Sequence, residues 1–526
     1  MSGSSTTSPR SWALRGWRSV ERVFDAAFGP ALNPLRHLGA LGFLALWLLV
    51  ATGLVLYTLF DTSVTGAYES VAGLARLPLG AGHLLRGVHH YAADVLMLVM
   101  GLHILREWVH GHERGVRRFH WLTGVPLVVF CFVSAIGGFW LAWDQLSQYS
   151  ALATAEWLDA LPLLGAPLAR NFLSVQAVSD RLFSLFIFVH VGVPLLFLFG
   201  LWFHIQRLTQ ASVMPPRPLT IGLVGVLVLL ALAQPVTSHA PAALDRVPEA
   251  LRLDWLLLWL HPLTDAASRE FTWMLVGGGL LALLALPFLP QPTRPAVAVV
   301  DPANCSGCQR CFVDCPYASI TMVEHPSRRP GHLLAQVDAD LCVGCGICAG
   351  ACPSSTPFRG MERLVTGIDM PQLPVDALRQ RVREDLATST VDRPLVAFTC
   401  DHGAAGRVAS AVDVHVHPLL CAGQMPPSFV EYALRQGAAG VLVASCRESG
   451  CAFRLGQRWT VERMTRQREP HLRAQVPPER VELVSAGPGD EGILNQAVQH
   501  LREAVQTLSI PKKASNHETS HRTHRA

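Results

Sequence analysis

The sequence predicts a multidomain protein in which a transmembrane bundle of six helices precedes a small α+β module and an α/β domain with a largely parallel sheet. Three observations predict this organisation. Half of the 526 residues are hydrophobic and only 16% are charged, which is typical of a chain with membrane segments. Twelve of the 13 cysteines follow residue 300. Short apolar runs then alternate with helical patterns between residues 393 and 508.

Six apolar stretches are long enough to cross a bilayer, which takes about 20 residues of α-helix. They lie near residues 38–59, 87–109, 121–142, 183–205, 218–236 and 271–290. These stretches define a membrane domain over residues 37–290, which follows an N-terminal cytoplasmic segment over residues 1–36.

Charged residues predict how the spans are oriented. Arginines such as Arg114 and Arg117 flank one end of the spans, whereas acids such as Asp144 and Asp265 occupy the loops at the other end. The positive-inside rule then predicts a cytoplasmic N-terminus, and six spans return the chain to the cytoplasm. We expect a multi-pass protein of the bacterial inner (cytoplasmic) membrane, surrounded by lipid. The net charge of +4 does not favour nucleic acid as a partner.

Cysteines crowded at short, regular spacings are typical of metal ligands rather than disulfides, and they predict a reducing cytoplasmic location. They fall in two predicted domains, over residues 291–358 and 393–508. The polar tail, residues 509–526, is predicted to be disordered.

Two of the predicted spans each carry a pair of histidines 14 residues apart. His89 and His103 lie on the second span, and His190 and His204 lie on the fourth. Fourteen residues are close to four helical turns, so the members of a pair share one helix face about 21 Å apart. Polar groups at this depth are costly and normally functional. Two such helices facing each other suit two bis-histidine haems; His90 is the alternative to His89, but only His89 has the matching spacing.

Arginines and glycines fit the same interpretation. Arg86 and Arg106 lie three residues outside the two histidines of the second span, where they would pair with haem propionates or simply extend to the interface. Glycines on the first and third spans repeat the period of 14 residues: Gly39, Gly53, Gly124 and Gly138. A missing side chain lets a flat macrocycle approach the backbone, although such glycines alone more often mark close helix packing.

These features resemble cytochrome b of the cytochrome bc complexes over about residues 30–290. The similarity lies in the segments LRGVHHYAADVLMLVMGLHILR (85–106), GGFWLAWDQLS (137–147) and HVGVP (190–194). The resemblance implies that His89 and His190 hold one haem nearer the positive side of the membrane. It implies that His103 and His204 hold a second haem nearer the cytoplasm, and it also implies quinone as a substrate and a homodimer.

The chain departs from this family at positions that concern quinone. Ala142 stands where the family has proline, and Thr209 replaces a histidine shortly after the last haem ligand. The family's Pro-Glu-Trp-Tyr motif appears as LDWL (253–256), so Asp254 replaces the glutamate. Carboxylates accept protons in such chemistry. We therefore predict Asp254 as the acceptor of a quinol proton, with an ordinary loop carboxylate as the alternative.

Eight cysteines form a doubled C-x2-C-x2-C-x3-C-P motif between residues 305 and 353. Thiolates are soft ligands for iron, and in this motif the fourth cysteine of each run binds the other cluster. One predicted [4Fe–4S] cluster has the ligands Cys305, Cys308, Cys311 and Cys352. The other has the ligands Cys342, Cys345, Cys348 and Cys315. The segment 298–358 resembles bacterial two-cluster ferredoxins, which implies a ferredoxin-like α+β module.

Four more cysteines lie in the last domain, three of them at the ends of predicted strands. They are Cys400, Cys421, Cys446 and Cys451. Ligands gather at the carboxyl ends of strands in an open parallel sheet. These thiols therefore suit a [2Fe–2S] cluster or zinc, unless they are simply small buried side chains.

Three motifs of this domain resemble the delta subunit of methyl-viologen-reducing hydrogenases: AFTC (397–400), LLCAG (419–423) and VLVASCRESGC (441–451). The resemblance implies a [2Fe–2S] cluster and a heterodisulfide-reductase-like flavoprotein as partner. The family often has further cysteines where this chain has DHG (401–403).

Together, these features predict an electron-transfer subunit of a membrane oxidoreductase complex, working between the quinone pool and a cytoplasmic flavoprotein. The sequence lacks a Rossmann glycine fingerprint for NAD or FAD, so a partner must supply nucleotide or flavin. Two other interpretations stay open. One is a cytochrome b anchor of a hydrogenase or formate dehydrogenase, and the other is a redox sensor or scaffold.

Overall fold

The computed structural model describes residues 9–114, 117–161, 167–206, 208–248, 250–289, 296–326, 331–360, 362–404 and 413–508. The chain divides into two compact units, Met1–Pro292 and Thr293–Ala526. The tail over residues 509–526, for which we predicted disorder, lies outside the described residues, as do the first eight residues of the predicted N-terminal segment.

The described part of the first unit is helical. Its helices are α1 (Pro9–Phe28), α2 (Leu38–Leu59), α3 (Gly66–Gly73), α4 (Ala81–Val109), α5 (Arg118–Trp140), α6 (Gln145–Asp159), α7 (Leu168–Phe172), α8 (Asp180–Gln206), α9 (Arg217–Ala233), α10 (Leu260–Ala266) and α11 (Arg269–Ala285).

Five helical stretches among the described residues are long and apolar enough to cross a membrane. They are Leu38–Leu59, Pro78–Val109, Arg118–Trp140, Asp180–Gln206 and Arg269–Phe288. The sixth predicted stretch, near 218–236, forms the 17-residue helix α9. This helix ends before Gln234-Pro235, where proline removes a backbone donor. Its length of about 26 Å is shorter than the roughly 30 Å hydrocarbon core.

The long helices pack in two pairs, α2 on α4 and α5 on α8. Apolar side chains from all four helices meet in one buried core that includes Ala45, Leu96, Leu127 and Phe197. The helices that carry the histidine pairs, α4 and α8, therefore each lie beside a glycine-bearing neighbour.

The second unit contains short helices and strands. Its helices are α12 (Arg310–Asp314), α13 (Ile347–Ala351), α14 (Val375–Thr388), α15 (Ser428–Arg435), α16 (Gly456–Met464) and α17 (Glu491–Gln506). Its strands are β1 (Val299–Val300), β2 (Ile320–Glu324), β3 (Leu333–Val337), β4 (Ile368–Asp369), β5 (Leu395–Cys400), β6 (Val414–Leu419), β7 (Gly440–Ser445) and β8 (Val481–Ser485).

The strands form three sheets. Strands β1 and β4 pair antiparallel, as do β2 and β3, and together with α12 and α13 they make the small α+β module. Strands β6, β5, β7 and β8 form a four-stranded parallel sheet in that order. This architecture confirms the predicted fold class of helical bundle, small module and parallel α/β domain.

Alternating residues of the central strands build two cores. Val396 and Phe398 of β5 share one core with helices α14 and α15. Leu395 and Ala397 of the same strand face a second core that contains α17. This alternation follows from the two-residue period of a strand, and it covers both faces of the sheet with helices.

Helix α14 was not predicted from the sequence. It lies between the predicted domains 291–358 and 393–508. Its buried side chains Val375, Leu378, Val382 and Leu386 are three or four residues apart. That spacing is the ordinary signature of an amphipathic helix, so the signal was present in the sequence.

Candidate functional site

The histidines His89 and His190 face each other between α4 and α8, with ring centroids 6.1 Å apart. The His89 Nδ1 lies 2.9 Å from the Thr52 hydroxyl, which itself donates to the Leu48 carbonyl. The hydroxyl oxygen is therefore free to accept the Nδ1–H of His89. The His190 Nδ1 donates to the Ser134 carbonyl at 2.8 Å. With both Nδ1 atoms engaged in this way, the Nε2 atoms would be the ones that hold a haem iron.

In the second predicted pair, a threonine hydroxyl again lies at a histidine Nδ1. The Thr123 hydroxyl donates to the Phe119 carbonyl and lies 3.1 Å from the His204 Nδ1. His103 lies close enough to His204 for the two imidazoles to interact electrostatically. His120 also contacts this site, with its ring centroid 5.9 Å from that of His204. The structure thus brings His103 and His204 together and adds a histidine that the spacing argument did not include.

Each of the four singled-out glycines lies against one of the four histidines. The contacts are Gly39 with His103, Gly53 with His89, Gly124 with His204, and Gly138 with His190. A Cβ at Gly138 would come within 2.7 Å of the His190 ring, and a Cβ at Gly53 within 3.1 Å of the His89 ring. At Gly39 the corresponding distance is 3.6 Å, an ordinary contact. Gly53, Gly124 and Gly138 therefore make room for the imidazoles themselves.

The threonine and glycine contacts come from neighbouring residues. Thr52 precedes Gly53 on α2, and Thr123 precedes Gly124 on α5. In each Thr-Gly pair, the hydroxyl holds the imidazole Nδ1 while the glycine lets the same ring approach the backbone. The dipeptide was visible in the sequence, but its meaning depends on which helix lies opposite.

The two arginines proposed to pair with propionates have protein partners. Arg86 donates through Nη1 to the Ser238 hydroxyl at 2.9 Å, and Arg106 donates through Nη1 to a Glu107 carboxylate oxygen at 2.9 Å. Both lie beyond the histidines of α4, as their sequence positions require. Their role toward propionates stays a prediction.

His90 belongs to a different group from His89. Its Nε2 lies 3.6 Å from an Asp254 oxygen and 3.8 Å from an Asp94 oxygen. Among the described residues, these three side chains form the one group of three or more candidate ligand atoms that lie within 4.8 Å of one another. The side-chain position of His90 therefore supports the choice of His89 for the facing pair.

Asp94 and Asp254 each have a carboxylate oxygen within 4.8 Å of the other and of a ring nitrogen of His90. Asp254 also accepts hydrogen bonds from the backbone amides of Leu256 and Leu257, both at 2.9 Å. Our sequence reading missed Asp94, although an acid inside an apolar span is itself a signal.

Two pockets in the α+β module are lined by the eight cysteines of the doubled motif. The first pocket is lined by Cys305, Cys308, Cys311 and Cys352. The second is lined by Cys315, Cys342, Cys345 and Cys348. The fourth cysteine of each run thus lies with the first three of the other run. Cys308 is exposed, whereas the other three cysteines of its pocket are buried or half-buried.

The loops around these pockets use left-handed backbone. Gly307 and Gly344 occupy equivalent places in the two runs with φ of 66° and 72°, and Gln309 and Gly346 do so with φ of 64° and 76°. Burial raises the pKa of the Cys311 thiol to about 12. A buried thiol keeps its proton until a metal ion replaces it, so assembly of a metal site here releases protons.

The remaining four cysteines converge at the carboxyl end of the parallel sheet. Cys400 ends β5, whereas Cys421 and Cys446 follow β6 and β7. Hydrogen bonds from Cys421 and Cys446 lower the pKa of Cys400 to about 2. The Cys451 thiol is hydrogen-bonded to the Cys446 thiol. A Cβ at Gly456 would lie 2.2 Å from the Cys421 sulfur, so this glycine makes room for the thiol.

The third cysteine site adjoins the second pocket of the α+β module. Cys345 of that pocket and Cys421 share one buried cluster with Ile347, Leu455 and Trp459. Apolar side chains therefore connect the two sets of candidate ligands along this contact.

Replacement of Gly138 by alanine tests the glycine–histidine contacts. We expect Gly138→Ala to displace His190 and to lower the haem-to-protein ratio by about half, because the new Cβ leaves no room for the ring. The ratio is measured from the pyridine haemochrome spectrum. Gly39→Ala and Gly277→Ala are matched controls, since a Cβ meets an ordinary contact or open space there. Equal haem loss in all three variants contradicts the prediction.

Cysteine replacements test the crossed arrangement of the two pockets. We expect Cys352→Ser and Cys311→Ser to alter one [4Fe–4S] signal in electron paramagnetic resonance (EPR), and Cys315→Ser and Cys348→Ser to alter the other. If Cys315→Ser and Cys311→Ser alter the same EPR signal, each cluster takes its four ligands from one sequence run, and the crossed arrangement is wrong. Cys131→Ser, in the membrane core, serves as the control.

Three family models match the chain one after another. Residues 23–212 match the model described as Cytochrome b/b6/petB. Residues 304–356 match the 4Fe-4S dicluster domain, and residues 396–509 match Methyl-viologen-reducing hydrogenase, delta subunit. These matches confirm the three predicted resemblances in the predicted order.

A solved structure titled "Hyperthermophilic respiratory Complex III" is similar over 53% of this chain and 83% of its own, with 18% sequence identity and a TM-score of 0.41. The family matches and the apolar helices indicate a multi-pass membrane electron-transfer protein. Along the chain, a region similar to cytochrome b/b6 precedes a region similar to 4Fe–4S dicluster domains and a region similar to hydrogenase delta subunits.

Proposed function

We propose that this chain moves electrons between the quinone pool and a cytoplasmic flavoprotein, through two b haems, two [4Fe–4S] clusters and one [2Fe–2S] cluster. The observation that carries the proposal is the pair His89 and His190 beside a proton-accepting group. His90 follows one of these ligands directly and contacts Asp254. Oxidation of a quinol needs an electron acceptor and a proton acceptor at the same place.

Two haems are supported by two histidine sets of the same kind. In each set, a hydroxyl or carbonyl oxygen holds an Nδ1 atom, and glycine makes room for the ring. Hydrogen bonds to the second ring nitrogen fix the tautomer and orientation of a metal-binding histidine. Arg86 and Arg106, at the two ends of α4, are the candidate partners for propionates.

The thiol arrangement favours [2Fe–2S] over zinc in the last domain. A tetrahedral zinc ion with bonds of about 2.3 Å would hold four sulfur atoms about 3.8 Å from one another. No three of these four sulfur atoms, all in described residues, lie within 4.8 Å of one another. They instead form a chain of contacts from Cys421 through Cys400 and Cys446 to Cys451. An extended set of four thiols suits two irons better than one zinc.

Asp254 is proposed to handle the protons of quinol. Quinol oxidation gives quinone, two electrons and two protons, and the reverse reaction consumes them. Asp254 would accept a proton on Oδ2, which has no hydrogen-bond partner among the described residues, and Asp94 would exchange that proton because a carboxylate oxygen of each lies within 4.8 Å of the other. The backbone bonds to Oδ1 keep the Asp254 side chain in place during this exchange.

The flavoprotein belongs to the proposal because the chain itself lacks a dinucleotide fingerprint. The resemblance of the last domain to hydrogenase delta subunits implies a heterodisulfide-reductase-like partner, which we include in the proposal. We also propose a homodimer, as the resemblance to cytochrome b implies. We place the chain in a bacterial inner membrane, with its N-terminus and iron–sulfur domains in the cytoplasm, because arginines flank that side.

A second candidate function is a membrane anchor for a hydrogenase. The observation that favours it is the same delta-subunit match. Purification from native membranes distinguishes the two candidates, since co-purification of a nickel subunit supports the anchor and co-purification of a flavoprotein supports the first proposal.

The purified full chain tests the redox content of the proposal. We expect haem b absorption bands, about ten non-haem irons per chain and reduction of the haem by a short-chain quinol. Absence of haem b, or fewer than about eight non-haem irons, contradicts the proposal.

Replacement of Asp254 tests the proton step. We expect Asp254→Asn to slow quinol-dependent haem reduction by about 10²-fold or more, the contribution of a general base. Haem reduction by dithionite, which needs no proton acceptor, should stay unchanged. Asp245→Asn, at an exposed carboxylate, is the control. Equal quinol rates in the two variants would assign Asp254 to the loop structure alone.

A further inference from the structure

Arg463 of α16 is a charged side chain enclosed in the second unit. The residue is 1% exposed. Its Nη2 donates to an Asp314 carboxylate oxygen at 2.5 Å, and its Nη1 donates to the Gly423 carbonyl at 2.9 Å. Its Nε is buried without a hydrogen-bond partner among the described residues. Burial of such a charge is expensive, so its presence does not follow from stability alone.

Asp314 connects Arg463 to the second pocket of the α+β module. It ends α12 and directly precedes Cys315, which lines that pocket. Its other carboxylate oxygen accepts from Arg468 at 2.7 Å, and its carbonyl accepts from the Trp459 indole at 3.1 Å. Three side chains of the last domain therefore hold the residue before Cys315.

Gly423 connects the same guanidinium to the third cysteine site, since it lies two residues after Cys421. Helix α13, which contains Cys348 and ends directly before Cys352, also packs here. A Cβ at Gly350 would lie 2.1 Å from the Gly423 carbonyl oxygen and 2.8 Å from the Arg463 Nη1. Arg463 thus contacts segments that adjoin ligands of both sites.

The charge of Arg463 matters for the third site. Cys421 interacts electrostatically with the guanidinium. A cluster held by four thiolates is an anion that gains a further negative charge on reduction. A fixed positive charge in a protein interior favours the more negative state, and surrounding hydrogen bonds and charges are among the means by which proteins tune cluster potentials.

We propose that Arg463 is a positioning residue that holds the third cysteine site against the second [4Fe–4S] site and raises the reduction potential of the third site. The inference rests on the proposed function, in which both sites hold iron–sulfur clusters. Asp314 has the opposite electrostatic effect, since its carboxylate balances the guanidinium.

A redox titration of the full chain in lipid nanodiscs, followed by EPR, tests the proposal. We expect Arg463→Gln to lower the ratio of reduced to oxidised third cluster at a fixed potential by about tenfold, which is about 59 mV for a one-electron couple. We expect Arg463→Lys to retain most of the wild-type ratio, because it keeps the charge. Asp314→Asn should move the ratio in the opposite direction, since it leaves Arg468 and Arg463 unbalanced.

Arg458→Gln is the matched control, because Arg458 lies on the same helix with a half-exposed side chain paired to Glu462. A purely structural role predicts that Arg463→Gln and Asp314→Asn change the ratio in the same direction, or not at all, and either result overturns the inference. If Arg463→Gln loses its clusters, the ratios of reduced to oxidised third cluster in Arg463→Lys and Asp314→Asn test the proposal instead. A wild-type chain without a third cluster signal contradicts the proposed function instead.

Discussion

The contact between a glycine and each membrane histidine is the constraint on which the helical unit depends. A Cβ on the facing residue would crowd the imidazoles of His89, His190 and His204, and a glycine occupies each of those positions. The same neighbouring helices supply the oxygen atoms that hold Nδ1 of His89, His190 and His204. Helices α2 and α5 therefore act as supports that orient the histidines on α4 and α8. A change on a support would act on the proposed haem sites without altering a proposed ligand.

Much of this arrangement was predictable because it repeats along the chain. The period of 14 residues in histidine and glycine, the doubled cysteine motif and the strand pattern each depend on local spacing. Helix α14 was equally visible, because its apolar residues recur at helical intervals. Contacts between distant residues that share no repeated spacing were not predictable. Asp314 and Arg463 are separated by 149 positions, and neither local sequence indicates that the two side chains form an ion pair.

The second unit contains a buried ion pair, Arg463 with Asp314, whose formation costs desolvation energy. Replacing a buried ion pair with apolar side chains is often neutral or stabilising, so such pairs are weak evidence of stability. The pair of Arg463 and Asp314 instead joins two segments that each adjoin a cysteine ligand. Because Cys345 and Cys421 belong to one buried cluster, packing constrains the distance between the two proposed ligand sets. The proposed electron relay needs constant distances more than it needs extra stability.

The exposure of Cys308 has a consequence for how this chain is handled. The structure describes all twelve cysteines after residue 300, and among them only Cys308 is exposed. Oxidation of cysteine follows exposure and thiolate character. The same opening that gives an outside electron donor short access to the first pocket gives dioxygen access to it. Air damage should therefore begin at this edge, while the pocket containing Cys345 and the site containing Cys421 are shielded by the shared core.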